Sequence, residues 1–380
     1  MKILMLLANP FKPDDRVNNE AQSLIKAGYQ VKILAWDREL ALPKKSRQKG
    51  LEIERFRLKS TYNSKAIIIP MIIFEIWLFF KILTEKFDFL HCHDFDTLVP
   101  GFWAGKIKGK KIIYDSHEDY GGAAEEFMPK WAVKLIHSLE NFMTKHICGL
   151  VTPHPILIHR FKTVPAKALV MNCKVLSRNF EDQEKVKKLK EKLGLGHKFI
   201  LMFTGAITRH RLVLETVKML EKKPIKDLVF FMLGWSIDQS GEKVAKLADG
   251  KNIIYHPAVS LAELPLWLQI GDLNHCYQNP QNPNYKIAIP NKLFDAMTAK
   301  KPTIVAAATA CAPIVKNSQS GFVLKYGDTA QLRKTLLRAI KNRAKIKKLG
   351  ENGRQAVEKE YNWEEMAKRL VEMYEVLNEN

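Results

Sequence analysis

Short apolar runs alternate with helical stripes along the chain, twice over, and that alternation leaves few folds open. Lys2–Ala8 is a continuous apolar run of the kind that a strand buried on both faces requires. Asp14–Ala27 follows with Val17, Ala21, Leu24 and Ile25 on one stripe and Gly28 as its stop. Val31–Trp36, Leu51–Leu58, Phe87–His91, Lys111–Tyr114, Gly149–Thr152 and Ala168–Met171 read as further strands. Helices are expected at Thr97–Lys106 and Lys130–Cys148, and the charged run Glu181–Leu193 as a solvated helix. A second alternation starts at Lys198–Thr204. It continues through strands at Leu228–Leu233, Asn252–His256, Leu273–Tyr277, Thr303–Ala306 and Gly321–Leu324, and closes on helices at Thr329–Lys341, Ile346–Glu358 and Trp363–Leu377. Two doubly wound parallel sheets with helices on both faces are predicted.

A chain of 380 residues exceeds one ordinary core, so two domains are expected, 1–176 and 177–359, with a linker near Lys174–Glu184. The formal net charge of +21 demands an anionic partner: nucleic acid, an anionic leaflet or phosphorylated substrates. Nucleic acid is disfavoured. The lysines sit largely in helices such as Lys185–Lys192 and Arg333–Lys348, with no interleaved aromatics and no recognition module. Cys92, Cys148, Cys173, Cys276 and Cys311 are scattered, odd in number and free of Cys-x-x-Cys spacing. Neither a disulfide framework nor a structural zinc is expected, and a reducing cytoplasm fits best. The apolar N-terminus runs straight into the strand–helix pattern rather than into a cleavage site. Ala66–Leu83 is the most apolar segment, but Pro70, Glu75 and Lys81 interrupt it. Its first reading is a buried crossover helix and its second an interfacial docking surface, with Lys106, Lys108, Lys110 and Lys111 clustered nearby.

Ligands of open parallel sheets bind at the carboxyl ends of strands. His91 and His93 share one face of a strand end, but no third ligand stands at a recognisable spacing, so no metal centre is expected. Asp115-Ser116-His117-Glu118 ends the next strand and makes His117 a candidate substrate contact. In the second half, Gly205 lets a ligand approach the backbone, and Arg209 and Arg211 suit phosphate through their planar donor forks. Ala288–Met297 puts Pro290 and Asn291 at the start of a helix, with Lys292 and Asp295 three residues apart on one face. A helix N-terminus with an added ammonium suits a diphosphate, and Asp295 one turn later suits a ribose diol. The loop of Asn9, Pro10, Asp14, Asp15 and Arg16 lacks both a Gly-x-Gly-x-x-Gly fingerprint and a P-loop, and Asp14 is expected to be a helix cap.

Over nearly its whole length the chain resembles the GT-B glycosyltransferases, specifically the retaining, sugar-nucleotide-dependent enzymes of family 4. The resemblance rests on Asp15-Arg16-Val17 with Glu20-Ala21, on His91-Cys92-His93-Asp94, on Tyr114–Glu118, on Gly205 with Arg211, on Pro290–Met297, and on Gly321-Phe322 with Gly327-Asp328. It implies two Rossmann-like α/β domains facing a cleft, the first for the acceptor and the second for the donor. It also implies that the closing helix, 360–380, returns to the first domain. The implied reaction moves a sugar from a nucleoside diphosphate sugar, UDP- or GDP-linked, to an acceptor hydroxyl, with retention and without metal or cofactor. The acceptor would be a glycan or a lipid-linked sugar of the cell envelope, met in the cytoplasm or at the inner membrane face. His117 matches the histidine that contacts the donor sugar, Arg211 a diphosphate ligand, and Asp295 the acidic residue on the ribose. Lys292 joins His117 and Arg211 as the catalytic set, with Gly205, Arg209, Pro290, Asn291, Leu293 and Asp295 around the donor. Asn9, Asp15, His93 and Glu118 are expected on the acceptor side. Three positions depart from the family pattern: Ile287 where a glutamate is usual, Ala206 where an arginine follows the loop glycine, and Lys301 where a glycine precedes the proline. A sugar-nucleotide epimerase and a catalytically silent binding protein are therefore the alternatives.

Overall fold

The structure is a computed structural model that describes residues 1–12, 14–61, 67–125, 128–176 and 183–379. Ala66 and residues 177–182 of the expected linker lie outside these. The chain divides into two compact units, Met1–Asn172 with Trp363–Asn380, and Cys173–Asn362.

The first unit runs β1 (Lys2–Leu7), α1 (Asp15–Lys26), β2 (Gln30–Asp37), β3 (Lys45–Gln48), β4 (Leu51–Arg57), α2 (Ile68–Thr84), β5 (Phe89–His93), α3 (Asp94–Ile107), β6 (Lys111–Asp115), α4 (Tyr120–Ala124), α5 (Lys130–Thr144), β7 (Gly149–Thr152), α6 (Pro155–Arg160) and β8 (Ala166–Leu169). The second contributes α7 (Gln183–Lys192), β9 (Phe199–Ile207), α8 (Val213–Lys222), β10 (Leu228–Ser236), α9 (Gln239–Leu247), β11 (Ile253–Pro257), α10 (Leu264–Ile270), β12 (Leu273–Cys276), α11 (Pro283–Ile287), α12 (Asn291–Thr298), β13 (Thr303–Ala306), α13 (Cys311–Asn317), β14 (Gly321–Leu324), α14 (Thr329–Lys341) and α15 (Arg343–Lys359). The last helix, α16 (Trp363–Glu379), belongs to the first unit.

The first sheet has strand order β3-β4-β2-β1-β5-β6-β7-β8 and is parallel except for the antiparallel β3–β4 edge. That edge was not expected, because Lys45–Gln48 carries no apolar residue and is held by backbone pairing. The second sheet, β11-β10-β9-β12-β13-β14, is parallel throughout. Strand order reverses at β1/β5 in one sheet and at β9/β12 in the other, which opens a crevice at the carboxyl ends of those strands.

Asp14 caps α1 by accepting from the Val17 N–H at 3.2 Å, as its position before the apolar stripe implies. The α16 helix is fastened by Trp363, whose Nε1 donates to Ser23 Oγ at 3.0 Å, and by Tyr374, whose hydroxyl lies 2.7 Å from His91 Nδ1. The crossover helix α2 departs from expectation. Only Phe74, Leu78 and Ile82 are buried, while Ile68, Ile69, Ile72, Ile73, Ile76 and Phe80 face solvent. Helical geometry lets one stripe of a helix reach the sheet, so a segment that is apolar all round must leave most of itself outside.

Candidate active site

In the second unit three of the expected residues, Gly205, Arg211 and Lys292, come together at the β9/β12 reversal. Gly205 is inside β9 rather than beyond it, with φ at +101°, a conformation that only glycine adopts without strain. Gly234 pairs with it on β10, and a Cβ there would stand 1.9 Å from the Gly205 carbonyl oxygen. Two glycines thus let these strands close up at their carboxyl ends. Arg211 precedes α8 and donates from Nη1 to the Ala206 carbonyl at 3.0 Å, leaving Nε without a partner. Its guanidinium sits 6.0 Å from the Tyr285 ring centroid.

Lys292 is the unusual member. It lies in the first turn of α12, only 7% exposed, with Nζ 3.9 Å from the Phe203 ring centroid of β9 and no hydrogen-bond partner. Burial first, then the neighbouring Arg211 charge, lower its pKa to about 7. No side chain caps α12, so its first two N–H groups, those of Asn291 and Lys292, are left to solvent or a ligand. The strand β12 below is buried, and burial followed by the Lys292 charge keeps His275 neutral, its pKa near 3. A lysine amine, a guanidinium and open helix amides therefore converge, and the amine has no hydrogen-bond partner, with the Cys276 and Cys311 thiols as the nearby groups that favour its charge.

Asp295 turns to a different partner. Its Oδ1 is 2.8 Å from Lys174 Nζ, and burial outweighs that lysine to raise the carboxyl's pKa. Pro290 and Asn291 stand at the open end of α12, whereas the Leu293 side chain is fully buried in the core and its N–H bonds the Pro290 carbonyl at 3.0 Å. Leu293 therefore supplies packing under the helix start, not a ligand-facing side chain. The Arg209 backbone N–H bonds Asp238 Oδ2 at 2.9 Å, and its side-chain Nε approaches His210 Nε2 at 3.1 Å. Ile287, at the end of α11, is 7% exposed and offers no polar atom where the family pattern has a carboxylate.

The first unit builds a buried ionic network at its own reversal point. Arg16 on α1 bonds Asp115 Oδ1 at 2.8 Å and stands 3.1 Å from Glu20 Oε1. Asp115 Oδ2 receives His93 Nδ1 at 3.1 Å and His117 Nε2 at 3.0 Å. His117 also sits 3.3 Å from Asp94 Oδ2 through Nδ1, and its N–H bonds Asp94 Oδ1 at 3.1 Å. Asp94 holds that position with φ at +64°, a strained conformation for a side-chain-bearing residue. Burial works against charge on His117, but Asp94 and Asp115 outweigh it and push its pKa up to about 10. His117 is thus an imidazolium at neutral pH, its side chain 23% exposed. Burial would raise the Asp115 pKa, yet Arg16 and His117 hold it well below the usual range. Burial and then Asp115 push Glu20 upward.

His93 is 1% exposed and reaches the surface only through His117. Asn9 spends its side chain within its loop, donating to Asp14 Oδ2 and accepting from the Phe11 N–H. Asp15 is exposed in the first turn of α1, and Glu118 is half-buried beside His117. Sequence reasoning gave Arg16 and Glu20 no role. Their spacing of four residues on the Val17–Ala21 stripe was the available signal, since it places an ion pair on a buried face. It also missed a fuller ligand set: atoms of Glu20, His91, His93 and Asp115 all lie within 4.8 Å of one another. The Arg16 guanidinium already bridges both carboxylates of that set, so the group reads as an ionic lock whose cation is built in.

Residues 185–356 match the family of glycosyl transferases group 1. That stretch lies within the second unit and contains Gly205, Arg211, Lys292 and Asp295. The second unit is thus similar to glycosyl transferases group 1, and the chain is a glycosyltransferase enzyme. No curated protein sequence matches the chain. Among solved structures it is similar to sucrose-phosphate synthase from Thermosynechococcus elongatus, at a TM-score of 0.77 and 15% identity, with 99% of each chain covered. It is similar to HepE from Anabaena in complex with UDP-glucose, at 0.74 and 12%, covering 99% of this chain and 100% of that one. A glycosyltransferase from Rickettsia africae aligns at 0.72 and 15%, covering 100% of this chain and 99% of that one. At these identities the likeness is one of fold, the GT-B architecture.

Proposed function

We propose that this glycosyltransferase moves a sugar from a nucleoside diphosphate sugar to an acceptor hydroxyl, as a retaining family 4 enzyme that needs no resident metal. The observation that carries the reading is Lys292: a buried amine beside Arg211, without a hydrogen-bond partner, at a helix start that no side chain caps. A departing diphosphate gathers negative charge on its oxygens, and preorganised cations and N–H groups stabilise that charge most where water is excluded. Arg211 and Lys292 bind the diphosphate in this reading, and Asp295 takes the ribose by exchanging Lys174 for the diol. UDP is the favoured carrier, because HepE of the same fold holds UDP-glucose. In the first unit, the His117 imidazolium meets the donor sugar, and Asn9, Asp15 and Glu118 line the acceptor side. The acceptor is a glycan or lipid-linked sugar of the cell envelope, which places the enzyme at the inner membrane face.

A thermal-shift panel of UDP-, GDP-, ADP- and dTDP-sugars tests this, because a ligand that binds only the folded state raises the melting temperature. One carrier is expected to give a shift that Lys292→Ala abolishes. No shift with any carrier would overturn the reading. A shift without transfer or hydrolysis would mark a silent binding protein, and conversion of the sugar without an acceptor an epimerase.

A further inference from the structure

Three helices of the first unit bury one apolar stripe and expose further large apolar side chains. On α2, Ile69 is 70% and Phe80 62% exposed, with Ile72 and Ile76 between them on the same stripe. Trp103 and Ile107 stand out from α3 one turn apart, at 51% and 67%. On α5 burial is mixed, with Val133 and Met143 inside beside two polar residues. Trp131, Leu135, Leu139 and Phe142 face outward, while Glu140 and Thr144 face inward. Glu140 is buried because it accepts from the Tyr114 hydroxyl at 2.7 Å and from Arg160 at 2.6 Å, so the inward face of α5 is partly polar. The exposed stripes are neighbours. Phe102 of α3 and Phe142 of α5 approach to 6.0 Å between ring centroids, and an apolar groove between α2 and α3 is lined by Ile72, Ile76, Phe80 and Val99. These helices hold more than half of the exposed large apolar side chains among the described residues. A continuous patch of this kind marks an interaction surface.

Its charges select the partner. Lys106, Lys130 and Lys134 are exposed among these residues, Lys145 follows α5, and none of the three helices exposes a carboxylate. No helix among the described residues is long and apolar enough to cross a membrane. Apolar side chains that alternate with lysines on helices lying side by side suit the boundary between headgroups and acyl chains, with tryptophans at the polar level. A second copy fits poorly, because a two-fold interface would set these lysines against their own images.

We propose that the α2–α3–α5 face docks the first unit on an anionic lipid surface. The inference rests on the proposed membrane-borne acceptor for its purpose, but its test needs neither donor nor acceptor. Flotation of the full chain with phosphatidylcholine vesicles, with and without phosphatidylglycerol, is expected to recover it with the anionic vesicles and to lose it as salt is added. Lys130→Gln with Lys134→Gln weakens binding about 30-fold, since each lysine near such a surface contributes roughly fivefold. Leu135→Gln with Leu139→Gln releases the protein, and these side chains are exposed enough for the fold to persist. Lys185→Gln with Lys188→Gln, on α7 of the second unit, leaves binding unchanged. Equal recovery with both kinds of vesicle overturns the proposal, as do binding indifferent to both α5 double variants and a dimer cross-linked through this face. Nucleotide-sugar thermal shifts on the same variants separate the two readings: vesicle binding without any shift leaves docking standing and removes glycosyl transfer, and the converse removes docking alone.

Discussion

Replacing Lys292 by methionine should make the free protein more stable while removing its activity. The lysine sits over the Phe203 ring, 7% exposed and without a hydrogen-bond partner, and burial and Arg211 together depress its pKa from 10.5 to about 7. A depression of that size means that folding disfavours the charged form by roughly 5 kcal/mol. The sign follows from proton binding. Between pH 7 and 10.5 the unfolded chain holds a proton on this lysine that the folded chain has released, so stability rises with pH across that window. The cost is whole below pH 7 and gone near 10.5. Methionine has similar length and no charge. Lys292→Met is therefore expected to gain ~1–5 kcal/mol at pH 6.5, the lower figure allowing for relaxation around the ammonium. The advantage should shrink toward zero as the pH approaches 10.

Urea unfolding of wild type and variant at several pH values, followed by intrinsic fluorescence, reads both the gain and its pH dependence. Transfer by the same variant should fall about 10²-fold, the usual cost of losing one charge contact in a transition state. A variant less stable than wild type at pH 6.5, or a gap that does not move with pH, would refute the idea that a buried, unpaired ammonium waits there for an anion. A large gain in stability with unchanged turnover would leave the electrostatics intact and dismiss the catalytic role.

Asp295→Ala should weaken nucleotide-sugar affinity by ~1–3 kcal/mol with little change in turnover, which titration calorimetry and steady-state kinetics separate. His117→Gln should cost most stability below pH 6.5 and progressively less as the pH climbs to about 10, because a histidine with a raised pKa stabilises the fold only while the folded form keeps its extra proton; a loss constant from pH 6 to 10 would contradict the charged pairing with Asp94 and Asp115. Arg16→Leu leaves the Asp115 carboxylate and Glu20 buried without their guanidinium and should destabilise by ~3–5 kcal/mol, read by urea midpoint. A loss under 1 kcal/mol would mean that the histidines alone balance Asp115.

Both sheets were legible in the sequence because a strand covered on both faces must be apolar along its length, as Leu201–Phe203 and Ile3–Leu7 are. The edge strand Lys45–Gln48 and the helix Gln239–Leu247 were not read, since neither needs a continuous apolar signature to pair or to pack. Helix starts were legible where a cap or proline stands, which is how Asp14 and Pro290 fixed the openings of α1 and α12. What spacing cannot carry is which far-off atom a side chain meets. Lys292 and Asp295 share a helix face in sequence, yet one leans over Phe203 and the other pairs with Lys174. The same holds for Glu20, His93 and Asp115, drawn from one helix and two strands. Each looks ordinary until the β1/β5 reversal brings their elements together, and burial then makes every unshared charge consequential. The apolar segment 66–83 shows the reverse error, for its composition argued for a buried helix while α2, pressed on the sheet along Phe74, Leu78 and Ile82, has room to hide only one stripe. Hydrophobicity measures the wish for cover; packing geometry decides how much cover a monomer supplies, and the remainder is where a partner must be sought.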